Sequence, residues 1–451
     1  MQARAKRVRA TRRRAFWLFL LAAGAARAAP KLQAVGAASV GYTDNFQTTP
    51  QAASQGSNPR SAGPFAMVSP GLVLALESPR MIQRLGYRYE YDLFLAQSNT
   101  TTSSNQLDYQ GLFDVSKRVA LVLGSSVSES NRYATVVFAA PGSGAVTSLP
   151  AGSGAFVQAE ASETLSFDLG IGWRAWQGGR VLLESPILGT VAPQTSEFAA
   201  RGGIERSYLF DAVGAEVRSD YAVVHDGVLS NGSRAGVQQQ LVNTAVGIWR
   251  HDLGRYFTSS AEAGAARIQL LNNGHGFWSP TASAMLAFAD VSGDAQLSYA
   301  HTISTNPLFG QSLLADEVRV RGGLPLTAHG ELLIAGTLGY QNARLIDQNA
   351  NLAARVHVIM GDITLGWLAT RSLELALRYQ HVEQKSDATV PPLPLSFVQN
   401  NVLLGAVFKF PPDRDMPRPY RAPRRVDRSD EIREGVALPT GIQRPPGAPA
   451  R

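Results

Sequence analysis

Residues 84–95 read RLGYRYEYDLFL. In an extended chain successive side chains point to opposite sides. Leu85, Tyr87, Tyr89, Tyr91, Leu93 and Leu95 therefore share one face, and Arg84, Arg88, Glu90 and Asp92 the other. The first face suits hydrocarbon and the second suits water. Hydrocarbon tolerates only structures that pair all their own backbone groups, which means helices or closed barrels. A period of two selects the barrel. The pattern returns in 213–223, with Val213, Ala215, Val217, Tyr221 and Val223 against Glu216, Arg218 and Asp220, and in 373–379, with Glu374 and Arg378 on the wet side.

Working outward, such stretches run from 31–46 to 396–410, and about 18 of them fit the chain. Residues 155–167 and 170–183 are read as two strands rather than one. The expected fold is all-β: a transmembrane antiparallel barrel of about 18 strands. No shared repeat of about 20–50 residues supports a propeller or solenoid. The stretches also exceed the roughly five or six residues of ordinary globular strands. In 355–367 the alternation changes phase, with Val356 and Val358 outward early and Ile363, Leu365 and Trp367 outward later, so a bulge is expected near Ile359 to Gly361.

Joints alternate between tight, such as Ser78-Pro79-Arg80, Lys117-Arg118 and Thr370-Arg371, and long, such as 47–64, 131–154 and 226–235. Barrels of bacterial outer membranes keep tight turns in the periplasm and long loops outside. An even strand count then places both termini in the periplasm of a Gram-negative bacterium.

Ahead of the barrel, residues 1–29 carry Arg4, Lys6, Arg7, Arg9, Arg12, Arg13 and Arg14, the apolar run Phe16 to Ala23 and a small-residue site at Ala26-Arg27-Ala28. This is the pattern of a secretory signal peptide. Eight of the 42 Lys and Arg residues lie before Pro30 and no acid does, which leaves 34 bases against 35 acids in the remainder. That near neutrality, with no basic stripe, argues against a nucleic-acid partner. The absence of cysteine excludes disulfides and thiolate metal sites. Residues 30–410 are the expected barrel. Residues 411–451, with nine prolines and nine arginines, form an expected periplasmic tail too polar and Pro-broken to pack.

A barrel of this size encloses water. Its expected channel-lining residues are Arg84, Arg88, Glu90, Asp92, Glu216, Arg218, Asp220, Arg319, Arg321, Glu374 and Arg378, with Asp108 and Asp114 on the same side. Their mixed signs suit a neutral or mildly charged polar solute, because rings of one sign are what sort ions. The longest loop, Tyr133 to Gly154, carries no charge, unlike an acidic constriction loop. His225-Asp226 and His251-Asp252 are candidate base pairs for an enzyme on the barrel rim. Adjacent strand residues point apart, and no Gly-x-Ser-x-Gly or His-Glu-x-x-His pattern accompanies them. An enzyme is not expected, nor a cofactor or a metal site.

At Gly41-Tyr42-Thr43-Asp44-Asn45-Phe46 the chain resembles the outer-membrane β-barrel porins of bacterial exopolysaccharide export clusters, and the likeness in strand number extends over most of it. The final strand, with Val402, Leu404, Ala406, Phe408 and Phe410 outward, also resembles the last strand that the barrel assembly machinery recognises. The resemblance implies an 18-stranded conduit for a polysaccharide polymer, working with a periplasmic polysaccharide-export protein. Two other readings stand beside it: a general or specific diffusion porin, and an outer-membrane enzyme or adhesin.

Overall fold

The computed structural model describes residues 29–45, 62–78, 80–95, 100–130, 156–186, 194–226, 236–254, 256–290, 292–306, 311–327, 330–346, 352–387 and 396–411. The expected signal peptide, the Pro/Arg-rich tail and the long loop 133–154 lie outside the described residues. The first strands are β1 (Ala29–Thr43), β2 (Gly63–Ser78), β3 (Met81–Phe94), β4 (Thr100–Ser116), β5 (Val119–Ser130) and β6 (Phe156–Gly170). Next come β7 (Trp173–Pro186), β8 (Gln194–Ser207), β9 (Asp211–His225), β10 (Gln238–Leu253), β11 (Phe257–Leu270) and β12 (His275–Asp290). The last are β13 (Gly293–Asn306), β14 (Gln311–Pro325), β15 (Leu332–Ile346), β16 (Leu352–Thr370), β17 (Leu373–Ser386) and β18 (Phe397–Phe410).

Each strand pairs antiparallel with its neighbours in sequence, and β1 pairs with β18 from Ala34 opposite Phe410 to Thr43 opposite Asn401. The 18-stranded sheet is thereby closed, and no edge is left to pair with another chain. Following direct partners once around returns to β1 displaced by about 22 residues. With ordinary strand spacing and rise, that stagger means a tilt of about 40° and a backbone cylinder of about 18 Å radius. The two strands expected in 155–183 are β6 and β7. They join through Gly170-Ile171-Gly172, all three at positive φ (83°, 53° and 77°). Two of the three positions are glycine, the residue that takes this conformation without steric cost.

Because partners across a ladder share a face, one register fixes inside and outside everywhere. Leu32, Leu74, Leu85 and Tyr109 are successive partners on β1 to β4, and they look outward. Large apolar side chains cover this face, among them Leu72, Leu107, Val217, Leu297, Leu338, Leu377 and Leu404, each more than two-fifths exposed. Such a belt is stable against lipid and not against water. Toward the ends bearing the long joints the outward tyrosines raise their hydroxyls to polar partners: Tyr87 to Asn105 at 3.0 Å, Tyr299 to Asp316 at 3.0 Å and Tyr379 to Asn400 at 2.8 Å. An aromatic girdle capped by polar groups marks where hydrocarbon gives way to headgroups.

One expectation is overturned. The pairing of β16 with β15 is unbroken from Leu332 opposite Trp367 to Leu345 opposite Ala354, and its shifts fall at the strand ends rather than near Ile359 to Gly361. Val356 and Val358 point inward with Met360, and all three are 0% exposed. They pack with Leu313, Leu345, Val382 and Phe397 on the inner wall. Burial there removes the same apolar area from water as lipid would, so no phase change is needed. A second inner cluster joins Val242, Ala266, Ile268 and Leu270, with Phe277 and Ile303 against it.

The seam continues past the last ladder pair through side chains. The Asp44 carboxylate accepts from the Asn400 backbone N at 2.7 Å and from its Nδ2 at 2.6 Å. Asn45 Nδ2 donates to the Val398 carbonyl at 2.9 Å, and Gln399 Nε2 to the Asn45 carbonyl at 2.9 Å. Losing a charged acceptor costs about 1.5–3 kcal/mol. Asp44→Ala should therefore lower the temperature at which the barrel loses its compact electrophoretic migration, whereas Asp44→Asn, which keeps one acceptor, should recover part of the loss.

Candidate channel interior

The inner face is built from the alternate residues that lipid rejects. All eleven expected lining residues lie on it: Arg84, Arg88, Glu90 and Asp92 on β3, Glu216, Arg218 and Asp220 on β9, Arg319 and Arg321 on β14, and Glu374 and Arg378 on β17. Asp108 and Asp114 of β4 share that face. Carried around the register, Arg88, Arg180, Arg201, Arg218, Arg319, Arg321 and Arg378 fall at nearly one level, halfway up the wall. They form a belt.

The belt is tied down by carboxylates. Arg180 spans from Glu160 on β6 at 3.0 Å to Glu197 on β8 at 3.3 Å. Arg218 meets Glu216 beside it on β9 and reaches across β10 to Glu262 on β11 at 2.9 Å. Arg319 pairs with Glu317, and Arg378 with Asp362 on β16. Arg88 donates to Gln106 at 2.7 Å and stands 3.9 Å from Glu90. Arg201 donates to Thr164 on β6 at 3.1 Å. Trp176, buried on the inner wall between these groups, donates to Glu216 at 2.9 Å. Sequence reading found the sides of the charges it considered but missed Arg180, Arg201, Glu197, Glu262, Asp362 and Trp176. Alternation signals each of these; their mutual contacts depend on registers that no short segment carries.

Charge is layered along the axis. On β3, β7, β8, β9 and β14 the last inward arginine toward the long-joint end is followed on that side by an acid: Glu90, Glu184, Glu197, Asp220 and Glu317. Among the described residues no inward Lys or Arg lies beyond them. Lys31, Arg250 and Lys409 are inward but sit at the tight-turn end.

Exposure changes along the same axis. Toward the tight turns, Lys31 and Glu77 are open to solvent and meet at 2.6 Å. Toward the long joints, the inward Thr43, Thr195, Gln341, Gln384 and Gln399 are buried. Part of this covering is the β13–β14 hairpin. β12 and β13 pair only as far as Ala282 opposite His301, where Pro280 interrupts the donors of β12, and the freed hairpin leans inward. Ser312 at its end donates to Gln240 of β10 at 2.9 Å, although three strands separate β14 from β10 in the wall. The interior is thus a vestibule open toward the tight turns and narrowed toward the long joints.

The histidine pairs considered for catalysis separate. His225 ends β9 facing outward, opposite Gln194, and Asp226 follows at φ 58°. His251 takes its carboxylate contact from Asp211 on β9 at 2.8 Å, not from Asp252, and its ring stacks on Trp249 at 5.7 Å. Ser259, opposite His251 on β11, spends its hydroxyl on the His251 carbonyl at 3.3 Å rather than on the imidazole. Among the described residues no cluster of three metal-ligating side chains occurs.

No family model matches the sequence, and no curated protein does. Among solved structures, the chain is similar to OccK2 (OpdF) of Pseudomonas aeruginosa, in a complex with glucuronate, at 13% identity and a TM-score of 0.45 over 84% of this chain and 98% of that one. It is similar to OccAB3 of Acinetobacter baumannii at 10% identity and a TM-score of 0.43 over 84% and 100%. The apoprotein form of the FrpB iron transporter of Neisseria meningitidis gives 10% and 0.47 over 86% and 82%. The architecture stands on the closed register above, to which likenesses this distant add nothing about function.

Glu216 is the most committed charge in the belt, held by Arg218 and Trp176 with a side chain 1% exposed. Breaking a buried pair from one side costs about 3–5 kcal/mol. Glu216→Ala should lower unfolding stability in urea by about 3 kcal/mol, and Glu216→Gln, which keeps the Trp176 acceptor, by less.

Proposed function

We propose that the chain is an outer-membrane channel that passes small polar solutes by diffusion, with its tight turns and both termini in the periplasm and its long loops outside. The observation that carries this reading is the closed wall whose inner face carries linked ion pairs and amides beside its apolar clusters, while its outer face is hydrocarbon. A soluble protein has no use for such an inversion. The tied arginines present few free charges at the level of the belt. The surplus carboxylates toward the long loops set the field, so solutes entering from that side are sorted in favour of cations.

The finer reading, export of a polysaccharide polymer with a periplasmic polysaccharide-export protein, has its support in the sequence likeness at Gly41 to Phe46. Asp44 and Asn45 of that segment are engaged in the seam, which gives them a structural reason to be there. The inward-leaning β13–β14 hairpin favours a solute of small cross-section over a threaded polymer. A deletion strain separates the two readings: loss of surface polymer supports export, and unchanged polymer with reduced uptake of small solutes supports diffusion.

Reconstituted in planar bilayers, the protein should show stepwise conductance with cations several-fold more permeant than anions at low salt, a preference that fades as salt screens the wall. The double variant Glu197→Gln with Asp220→Asn should bring the reversal potential toward zero with little change in conductance. A wild-type channel that favours anions would overturn the assignment of the field.

A further inference from the structure

Glu163 sits at the middle of β6, opposite Leu123 on one side and Gly179 on the other, which puts it on the outward face with Leu183 and Phe198. Among the described residues it is the one charged side chain on that face between the tight-turn rim and the tyrosine girdle. Gln177 is its diagonal neighbour on β7, brought to nearly the same level by strand tilt. Both are exposed, and among the described residues neither makes a hydrogen bond or ion pair. Around them the outward positions Ser125, Ala161, Gly179, Ala200 and Gly202 are small, so another surface can come close to both polar groups.

Lipid tails offer neither group a partner, and polar side chains at this depth are expensive. From this we infer that the outer face of β5–β8 is an interface with a second copy of the chain, in which Glu163 of each copy meets Gln177 of the other. A two-fold axis along the membrane normal keeps heights equal and exchanges left with right, so two unlike groups side by side at one level become mutual partners. A carboxyl and a carboxamide are complementary in that arrangement. The amide N–H donates to the carboxyl oxygen across the interface. The inference depends on the lipid-embedded reading of the barrel, and the experiment checks that separately.

The chain has no cysteine, so single-cysteine variants report without background. Ala161→Cys, oxidised in isolated membranes, should give a disulfide-linked dimer, and Leu338→Cys on the far side of the wall should not. Adding Glu163→Leu and Gln177→Leu to the Ala161→Cys chain should cut the dimer at least tenfold. Glu163→Gln should retain it, since two amides also pair. Each variant should keep the heat-dependent migration of an intact membrane barrel; loss of that property in the unsubstituted protein would mean that the embedded reading itself is wrong. Equal cross-linking at residues 161 and 338, no cross-linking at 161, or a dimer that survives both leucines would overturn the interface.

Discussion

The structure depends on the pairing of its first strand with its last. In hydrocarbon an unpaired row of backbone N–H and C=O groups has no partner, and each such group costs several kcal/mol. Every other strand meets a neighbour that follows it in sequence, so a short turn suffices to bring the two together. β1 and β18 lie at opposite ends of the chain, and no local signal joins them. Their ladder runs from Ala34 to Thr43 and is then extended by Asp44, Asn45, Asn400 and Gln399. A closed ladder also fixes the parity of every side chain, because the strand phases must agree after a full circuit. Closure and sidedness are one constraint.

Given that parity, the two faces solve different problems with the same backbone. The outer face meets a solvent that cannot hydrogen-bond, and it answers with aliphatic side chains capped by tyrosines whose hydroxyls leave the apolar band. The inner face meets water, where an isolated ion pair is worth little. There the charges are linked across strands: Arg180 joins β6 to β8 through β7, and Arg218 joins β9 to β11 through β10. Such spans resist shear between neighbouring strands, which a wide cylinder has no core to oppose. Where the wall does acquire a core, at Val356, Met360 and Leu345, it is inside and toward the long joints.

Asp44→Ala tests a contact that the sequence could not have shown, and the same limit runs through the molecule. Lipid on one side and water on the other force a period of two, so the strands from β1 to β18 each match an expected stretch, and the faces of Arg84, Glu216 and Arg378 could be read directly. The pattern fails where both faces are apolar. In 352–360 the inward Val356 and Val358 resemble outward ones, and only their packing on Leu313 and Phe397 tells them apart. β14 begins at Gln311, in a stretch where Leu313 and Leu314 give alternation nothing to work with. Partners across the lumen, such as Ser312 with Gln240, follow from Pro280 ending a ladder several strands away.

The same logic bears on selectivity. A ring of seven arginines at one level would be an anion filter if its charges were free. Most of them are neutralised by a carboxylate held by the same strand or a near neighbour, so the belt contributes rigidity and little net field. What remains toward the long joints is Glu184 on β7 and Asp220 on β9, acids that close no ion pair among the described residues. A cation coming from that end meets attraction before it reaches the neutral belt, whereas an anion must first pass the carboxylates. The proposed sign preference therefore rests on the order of charges along the axis rather than on their sum at the belt.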